Sequence, residues 1–160
     1  MMLEDEGLPV PQLIDPKEKL VLLVDDDENL LDLIDHVVRK EGFRTDRAMD
    51  GPETLRKVEA LMPDLLLLDF MLPGMGGYEV LRELQARGNG SIPIIVITGR
   101  QLDRKAVEMV RMESNVKEFM TKPIRPAILT ATIHSILKTR PPDINRAPGS
   151  MRGPMSGGIL

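Results

Sequence analysis

Residues 20–30 read LVLLVDDDENL: five apolar residues in succession, then three aspartates and a glutamate. The apolar half is strand-sized and offers no polar face, as a strand buried between two layers must. The acidic half is harder to accommodate. Adjacent carboxylates repel one another, and each resists leaving water. A strand that ends this way needs a compensating charge beside its carboxyl end, and that need directs the search through the rest of the chain.

Two further runs share the both-faces-apolar character, LLLL at 65–68 and IIVI at 94–97. FRTDRA at 43–48 and KEFMT at 117–121 are mixed, as edge strands are. Helical patterns lie between them. Leu30, Leu33, Ile34, Val37 and Val38 recur at i, i+3, i+4, i+7 and i+8, and Leu129, Thr132, Ile133, Ile136 and Leu137 repeat that spacing. Pro52 opens a second helix near its first turn. A third is expected from about Gly76 to Arg87, before GNG, and a fourth over about residues 102–113. Asn115 stands where a left-handed C-cap belongs. The pattern is β-α five times over. It predicts an α/β fold: a doubly wound five-stranded parallel sheet, (βα)5, strand order 2-1-3-4-5, flavodoxin-like. Ligands of such sheets bind outside the carboxyl ends of the strands.

Composition agrees with one domain and a sizeable core: 160 residues, 42% hydrophobic and 29% charged. A net charge of −4 gives no footprint for non-specific nucleic-acid binding. The absence of cysteine excludes disulfides and thiolate metal sites and fits a reducing compartment. MMLEDEGLP at the start lacks the apolar core of a signal peptide, and no apolar run reaches membrane-span length. A cytoplasmic protein is expected. Residues 1–17 read as a flexible acidic segment, 18–139 as the folded domain, and 140–160 as a disordered Pro/Gly-rich tail. His36 and His134 lie on helical faces without a partner at ligand spacing and read as structural or surface residues.

At the carboxyl ends of the expected strands stand Asp25, Asp26 and Asp27, then Asp69, then Thr98, then Lys122. Asp27 begins the first helix and reads as its N-cap. Asp25, Asp26 and Asp69 make an oxygen site of the kind that holds Mg2+, which takes one or two carboxylates plus phosphate oxygens and waters. Their formal charge of −3 is balanced by Lys122 together with a divalent cation.

VDDD at 24–27, LLDFMLPGMGG at 67–77, VITG at 96–99 and FMTKPI at 119–124 resemble the receiver domain of bacterial response regulators, the CheY-like fold. The four motifs occur in order over nearly all of 18–139. The resemblance implies that Asp69 accepts a phosphoryl group from the phosphohistidine of a histidine kinase or histidine phosphotransfer protein. It implies that Asp25, Asp26, Asp69 and the Met71 backbone carbonyl bind Mg2+. It makes Thr98 and Lys122 holders of the phosphoryl oxygens, Thr98 and Phe119 the switch pair, and the Lys122–Pro123 bond cis. It implies a signalling receiver, not an enzyme with a separate substrate. Met71 and Arg100, two past the acceptor and two past the threonine, overlook the approach of a hydrolytic water and are expected to slow hydrolysis.

Four positions depart from the family's habits. Gly76 stands where Asp is frequent and forfeits a side-chain cap for the third helix. Gly99 replaces Ala or Ser, Asn115 replaces Gly, and Phe119 replaces the more frequent Tyr. Lacking a hydroxyl, Phe119 should differ between its buried and exposed states only in packing.

The tail is too short and too irregular to build a DNA-reading domain. The expectation is a stand-alone receiver that signals by changing its protein partners, with no direct nucleic-acid contact and no membrane insertion, as a monomer or phosphorylation-dependent homodimer. The alternatives are a receiver module from a larger regulator or hybrid kinase, and a receiver-shaped scaffold that is not phosphorylated. Arg104, Lys105, Arg111, Lys117 and Arg125 form a basic face for an acidic partner or a second copy. Leu31, off the expected buried stripe of the first helix, is the expected contact for the phosphodonor.

Overall fold

The apolar runs become the inner strands of a parallel sheet in the computed structural model of the chain, which describes residues 12–99 and 102–143. β1 (Leu20–Val24), β3 (Leu65–Asp69) and β4 (Ile94–Thr98) are buried along their whole length. β2 (Arg44–Ala48) and β5 (Val116–Thr121) are mixed and form the edges, in the order β2-β1-β3-β4-β5. All four pairings are parallel, so each crossover passes through a helix. These are α1 (Glu28–Lys40), α2 (Gly51–Leu61), α3 (Gly77–Ala86), α4 (Arg104–Arg111) and α5 (Pro126–Leu137). The expected α/β doubly wound sheet is the observed one.

The period of two along each inner strand divides the core. Leu22, Val24, Leu66, Leu68, Ile94 and Val96 face α2, α3 and α4. Val21, Leu23, Leu65, Leu67, Ile95 and Ile97 face α1 and α5. Each fully buried side chain of this size contributes roughly 1.5–3 kcal/mol of transfer free energy.

The helices differ in detail from their sequence patterns. On α1 the buried residues are Leu31, Ile34 and Val38, while Leu33 is 55% exposed. At 100° per residue, Leu33, Val37, Leu30, Ile34, Val38 and Leu31 span an arc of about 160°. That arc is wider than the sheet can cover. Packing selects its Leu31 side and leaves its Leu33 side outside, so Leu31 is a core residue and not the exposed phosphodonor contact expected of it.

α4 is shorter than residues 102–113, with Asp103 capping it by accepting from the Ala106 N–H at 2.8 Å. Asn115 is not a left-handed cap. Met62 and Lys138 are the non-glycine residues with positive φ among those described. Asn115 instead ties the turn before β5 to the start of β4: it is buried, its carbonyl accepts from Ile94 N–H at 2.8 Å, and its Nδ2 donates to the Ile92 carbonyl at 3.1 Å. The chain turns between α4 and β5 through right-handed backbone, with the Val116 N–H donating to the Glu113 carbonyl at 3.0 Å, so no left-handed residue is needed there. At α3, the cap that Gly76 cannot supply is partly replaced by Glu79, whose Oε1 accepts from the Gly76 N–H at 3.3 Å.

At the far end of the sheet the chain ends of the domain meet. Ile14 N–H donates to the Lys138 carbonyl and Arg140 N–H to the Ile14 carbonyl, each at 2.8 Å, both outside the 18–139 span. His134 is buried under this clasp. Its Nδ1 lies 2.7 Å from Thr139 Oγ1 and its Nε2 2.8 Å from Glu41 Oε1, so its role is structural. The expectations for residues 1–11, for Arg100 and for residues 144–160 lie outside the described residues.

Candidate functional site

All five parallel strands end on the same side of the sheet, and the residues at or just past the ends of β1, β3, β4 and β5 form the site. Asp25 directly follows β1, held by its N–H on the Ala48 carbonyl at 3.2 Å. One of its oxygens, Oδ1, accepts from the Asp27 N–H at 2.8 Å. Asp69 is the last residue of β3, and its Oδ1 accepts from the Met71 N–H at 3.1 Å. Both side chains are nearly fully buried, whereas Asp26 is exposed. Oxygens of Asp25, Asp26 and Asp69 all lie within 4.8 Å of one another. Asp27 stands apart as the α1 cap, its Oδ1 accepting from Asn29 and Leu30 N–H at 3.0 and 3.2 Å.

Lys122 reaches into this cluster from beyond β5. Its N–H donates to the Thr98 carbonyl at 2.8 Å, and the following bond to Pro123 is cis. Its Nζ lies 2.9 Å from Asp25 Oδ2 and 3.5 Å from Asp69 Oδ2. Burial works against charge on the Lys122 ammonium. The hydrogen bond to Asp25 and the attraction of both carboxylates outweigh it and raise its pKa. Burial raises the Asp69 carboxyl above its ordinary value. The Met71 N–H and Lys122 oppose that rise, Asp25 and Asp26 reinforce it, and the rise prevails. Lys122 stands closer to Asp25, so Asp69 is the less compensated of the buried pair.

Thr98 ends β4 and is fully buried at the same edge of the sheet. Gly99 leaves room beside it, since a Cβ there would stand 3.5 Å from Lys122 Cδ, an ordinary contact. Phe119 in β5 is half-buried, packed on the α2–α3–α4 side of the sheet. The Met71 side chain is 44% exposed beside Asp69. Asp25, Asp26, Asp69, Thr98 and Lys122 therefore stand at one end of the sheet, as the strand-end pattern predicts.

A feature the sequence pattern misplaced adjoins them. Leu30, Leu33 and Val37 of α1 face Pro123, Ile124 and Pro126 across a cleft of about 150 Å3 that also touches Lys122. The signal for it was the same broad apolar arc of α1, read one side too far.

The family model for the response regulator receiver domain matches residues 21–134. The chain belongs to the response regulator receiver family. It is 39% identical over 118 residues to the sensory transduction protein RegX3 of Mycolicibacterium smegmatis, covering 74% of this chain and 50% of that protein. It is 37% identical over 126 residues to the DNA-binding response regulator MtrA of the same species, covering 78% of this chain and 53% of that protein. The chain thus spans about half the length of the curated relatives it matches. Among solved structures it resembles a CheY-like response regulator receiver domain protein from Methanospirillum hungatei JF-1, with TM-score 0.67, 29% identity, and coverage of 74% and 93% of the two chains. It also resembles the signal receiver domain of a histidine kinase from Syntrophus aciditrophicus, with TM-score 0.67, 26% identity, and coverage of 74% and 89%. Receiver domains generally bind Mg2+ at an acidic aspartate cluster, and this chain presents such a cluster. No helix among the described residues is long and apolar enough to cross a membrane.

Proposed function

We propose that Asp69 is the phosphoacceptor of a two-component phosphorelay. Its Oδ1 is tied to the Met71 N–H, and its Oδ2 faces Lys122. Oδ2 attacks the phosphorus of a phosphohistidine in line with the bond that breaks. A new O–P bond forms, and the P–N electron pair returns to the imidazole of the donor protein. The carboxylate is a nucleophile of the acyl-phosphate type, and the reaction rests on positioning and charge neutralisation more than on acid–base catalysis. Lys122 and Thr98 take the transferred oxygens, Lys122 by a charge-assisted bond.

The donor set fits a hard divalent cation: three carboxylates with oxygens within 4.8 Å, two of them buried, and a formal charge that a single ammonium leaves uncompensated. Asp25, Asp26, Asp69 and the Met71 carbonyl would hold Mg2+, and what it supplies there is neutralisation of the phosphoryl oxygens. The cleft beside Lys122, walled by Leu33 and Ile124, is where the phosphodonor protein docks. The consequence of phosphorylation is a change in protein–protein binding, carried by the face of α4, β5 and α5 with Arg104, Lys105, Lys117 and Arg125.

The observation that carries this reading is the meeting of buried Asp69 with two further aspartates and the Lys122 ammonium. Its test is labelling with 32P-acetyl phosphate and Mg2+. The parent and Asp27→Asn take up label, and Asp69→Asn takes up none. Equal labelling of the Asp69 variant overturns the assignment.

A further inference from the structure

The switch aromatic was expected to distinguish its two states by packing alone, because Phe119 has no hydroxyl. The structure adds a second contact. Arg111, the last residue of α4, places its guanidinium carbon 5.7 Å from the centre of the Phe119 ring. That is within the range at which a cation is attracted to an aromatic face. Arg111 is exposed, and among the described residues no carboxylate lies within ion-pair distance of it. Phe119 pairs with Val96 of β4, two residues before Thr98, so the ring lies between the acid site's strand and α4.

We propose that Arg111 is a positioning residue that latches Phe119 in the resting state and so sets how readily the acid site accepts its anion. This rests on the reading of Asp69 as phosphoacceptor. A contact made in only one of two states shifts their populations by its own worth, and the apparent affinity for a ligand of the other state falls by the same factor. Phe119 is only half-buried where it meets Arg111, so the contact belongs to the outward of the ring's two positions. When Thr98 turns to a phosphoryl group, the ring follows toward β4 and leaves the guanidinium. A partly exposed cation–π contact has a worth equivalent to roughly a two- to five-fold change in equilibrium. The absent hydroxyl of Phe119 is thus replaced, as a device for defining the outward state, by a cation on the neighbouring helix.

The sign of the effect separates the latch from simple electrostatics. Removing a positive charge near the site should weaken binding of an anion. Removing a latch should strengthen it. The experiment is calorimetric titration of beryllofluoride in the presence of Mg2+, with Arg111→Ala, Phe119→Leu and the double variant. The result expected is two- to five-fold tighter binding by Arg111→Ala than by the parent, and no effect of Arg111→Ala in the Phe119→Leu background. A second reading needs no ligand. In proton NMR of the metal-free protein, the Arg111 side-chain resonances should carry an upfield ring-current shift that Phe119→Leu removes. Unchanged or weaker binding by Arg111→Ala, an effect that persists without the ring, or an unshifted Arg111 each overturns the latch. Failure of the parent itself to bind beryllofluoride overturns the reading of Asp69, and the latch with it.

Discussion

Two groups of carboxylates, one on α1 and β2 and one at the carboxyl ends of β1 and β3, are built from the same residue types and behave oppositely. In the outer group, Asp35 accepts from Arg39 Nε at 3.0 Å and Arg47 Nη2 at 2.9 Å, and from the Thr45 hydroxyl. Arg47 also pairs with Asp32 at 2.7 Å, and Lys57 with Asp46 at 3.0 Å. Burial works to raise the Asp35 carboxyl, but the bonds from Thr45, Arg47 and Arg39 hold it below its ordinary value. At the strand ends, three carboxylates share the single ammonium of Lys122, and burial with its neighbours raises Asp69. Each acid of the outer network, Glu53 on Lys57 at 3.7 Å included, has a cationic partner within ion-pair distance. The inner one lacks positive charge, which is the condition for binding a cation and accepting chemistry. Charge balance, and not the number of acids, distinguishes a structural cluster from a reactive one.

The largest expected effect comes from supplying that charge. Mg2+ at a hundred times its dissociation constant should stabilise the fold by about 2.7 kcal/mol through mass action, a melting-temperature rise of roughly ten degrees. Asp26→Asn should remove most of that rise, while Asp35→Asn should leave it intact. Scanning calorimetry with Mg2+ and with chelator measures both. Loss of the metal response in the Asp35 variant instead would break the distinction between the two clusters.

Neutralising one acid in each cluster should give opposite signs. In chelator at neutral pH, Asp69→Asn should stabilise the protein by about 1 kcal/mol, because it removes a buried charge held at a disadvantage. Asp35→Asn should destabilise it by about 1–2 kcal/mol, because it strands Arg47 and Thr45. The pH dependence of the second effect follows from its sign. A carboxyl whose folded pKa is depressed contributes stability that is complete above the ordinary carboxylate value and is lost as pH falls through that value to the folded one. The difference between parent and Asp35→Asn should therefore be full at pH 7 and shrink below a pH of about 3.8, the unfolded value. Denaturant titrations at several pH values would show it, and a difference that grew in acid would mean that the bonds to Asp35 do not favour its ionised form.

Much of this was legible in the chain, and the exceptions share a cause. Both-faces-apolar runs fixed the inner strands because no other element buries LLLL or IIVI so economically in length. The strand-end acids followed, since a parallel sheet must deliver all its carboxyl ends to one side. What failed depended on packing at longer range. The apolar arc of α1 was visible, but which side the sheet would cover was decided by α5 and the sheet itself, so Leu31 and Leu33 exchanged roles. Asn115 looked like a helix cap because α4 was expected to run to it. His134 bonds Glu41 across 93 residues, a separation that no local spacing reveals. Arg111 and Phe119 lie on different elements, and each alone is an ordinary residue.

The smallest effect concerns the third aspartate of the opening run. Asp27 adjoins Asp25 and Asp26 in sequence yet serves α1, accepting from Asn29 and Leu30 N–H. Removing such a cap typically costs about 1 kcal/mol. Here the loss should be smaller, for two reasons. The cap is exposed, so water can replace it, and taking away one negative charge relieves its acidic neighbours. Asp27→Ala should thus lower stability by about 0.5 kcal/mol in chelator. The Asp27 backbone N–H that bonds Asp25 survives the substitution, so the Mg2+-induced rise in melting temperature should be unchanged. Parallel calorimetry of Asp26→Asn and Asp27→Ala would then separate adjacent aspartates by function. If Asp27→Ala suppressed the metal response as strongly as Asp26→Asn does, the boundary between helix cap and cation ligand would have been drawn one residue too early.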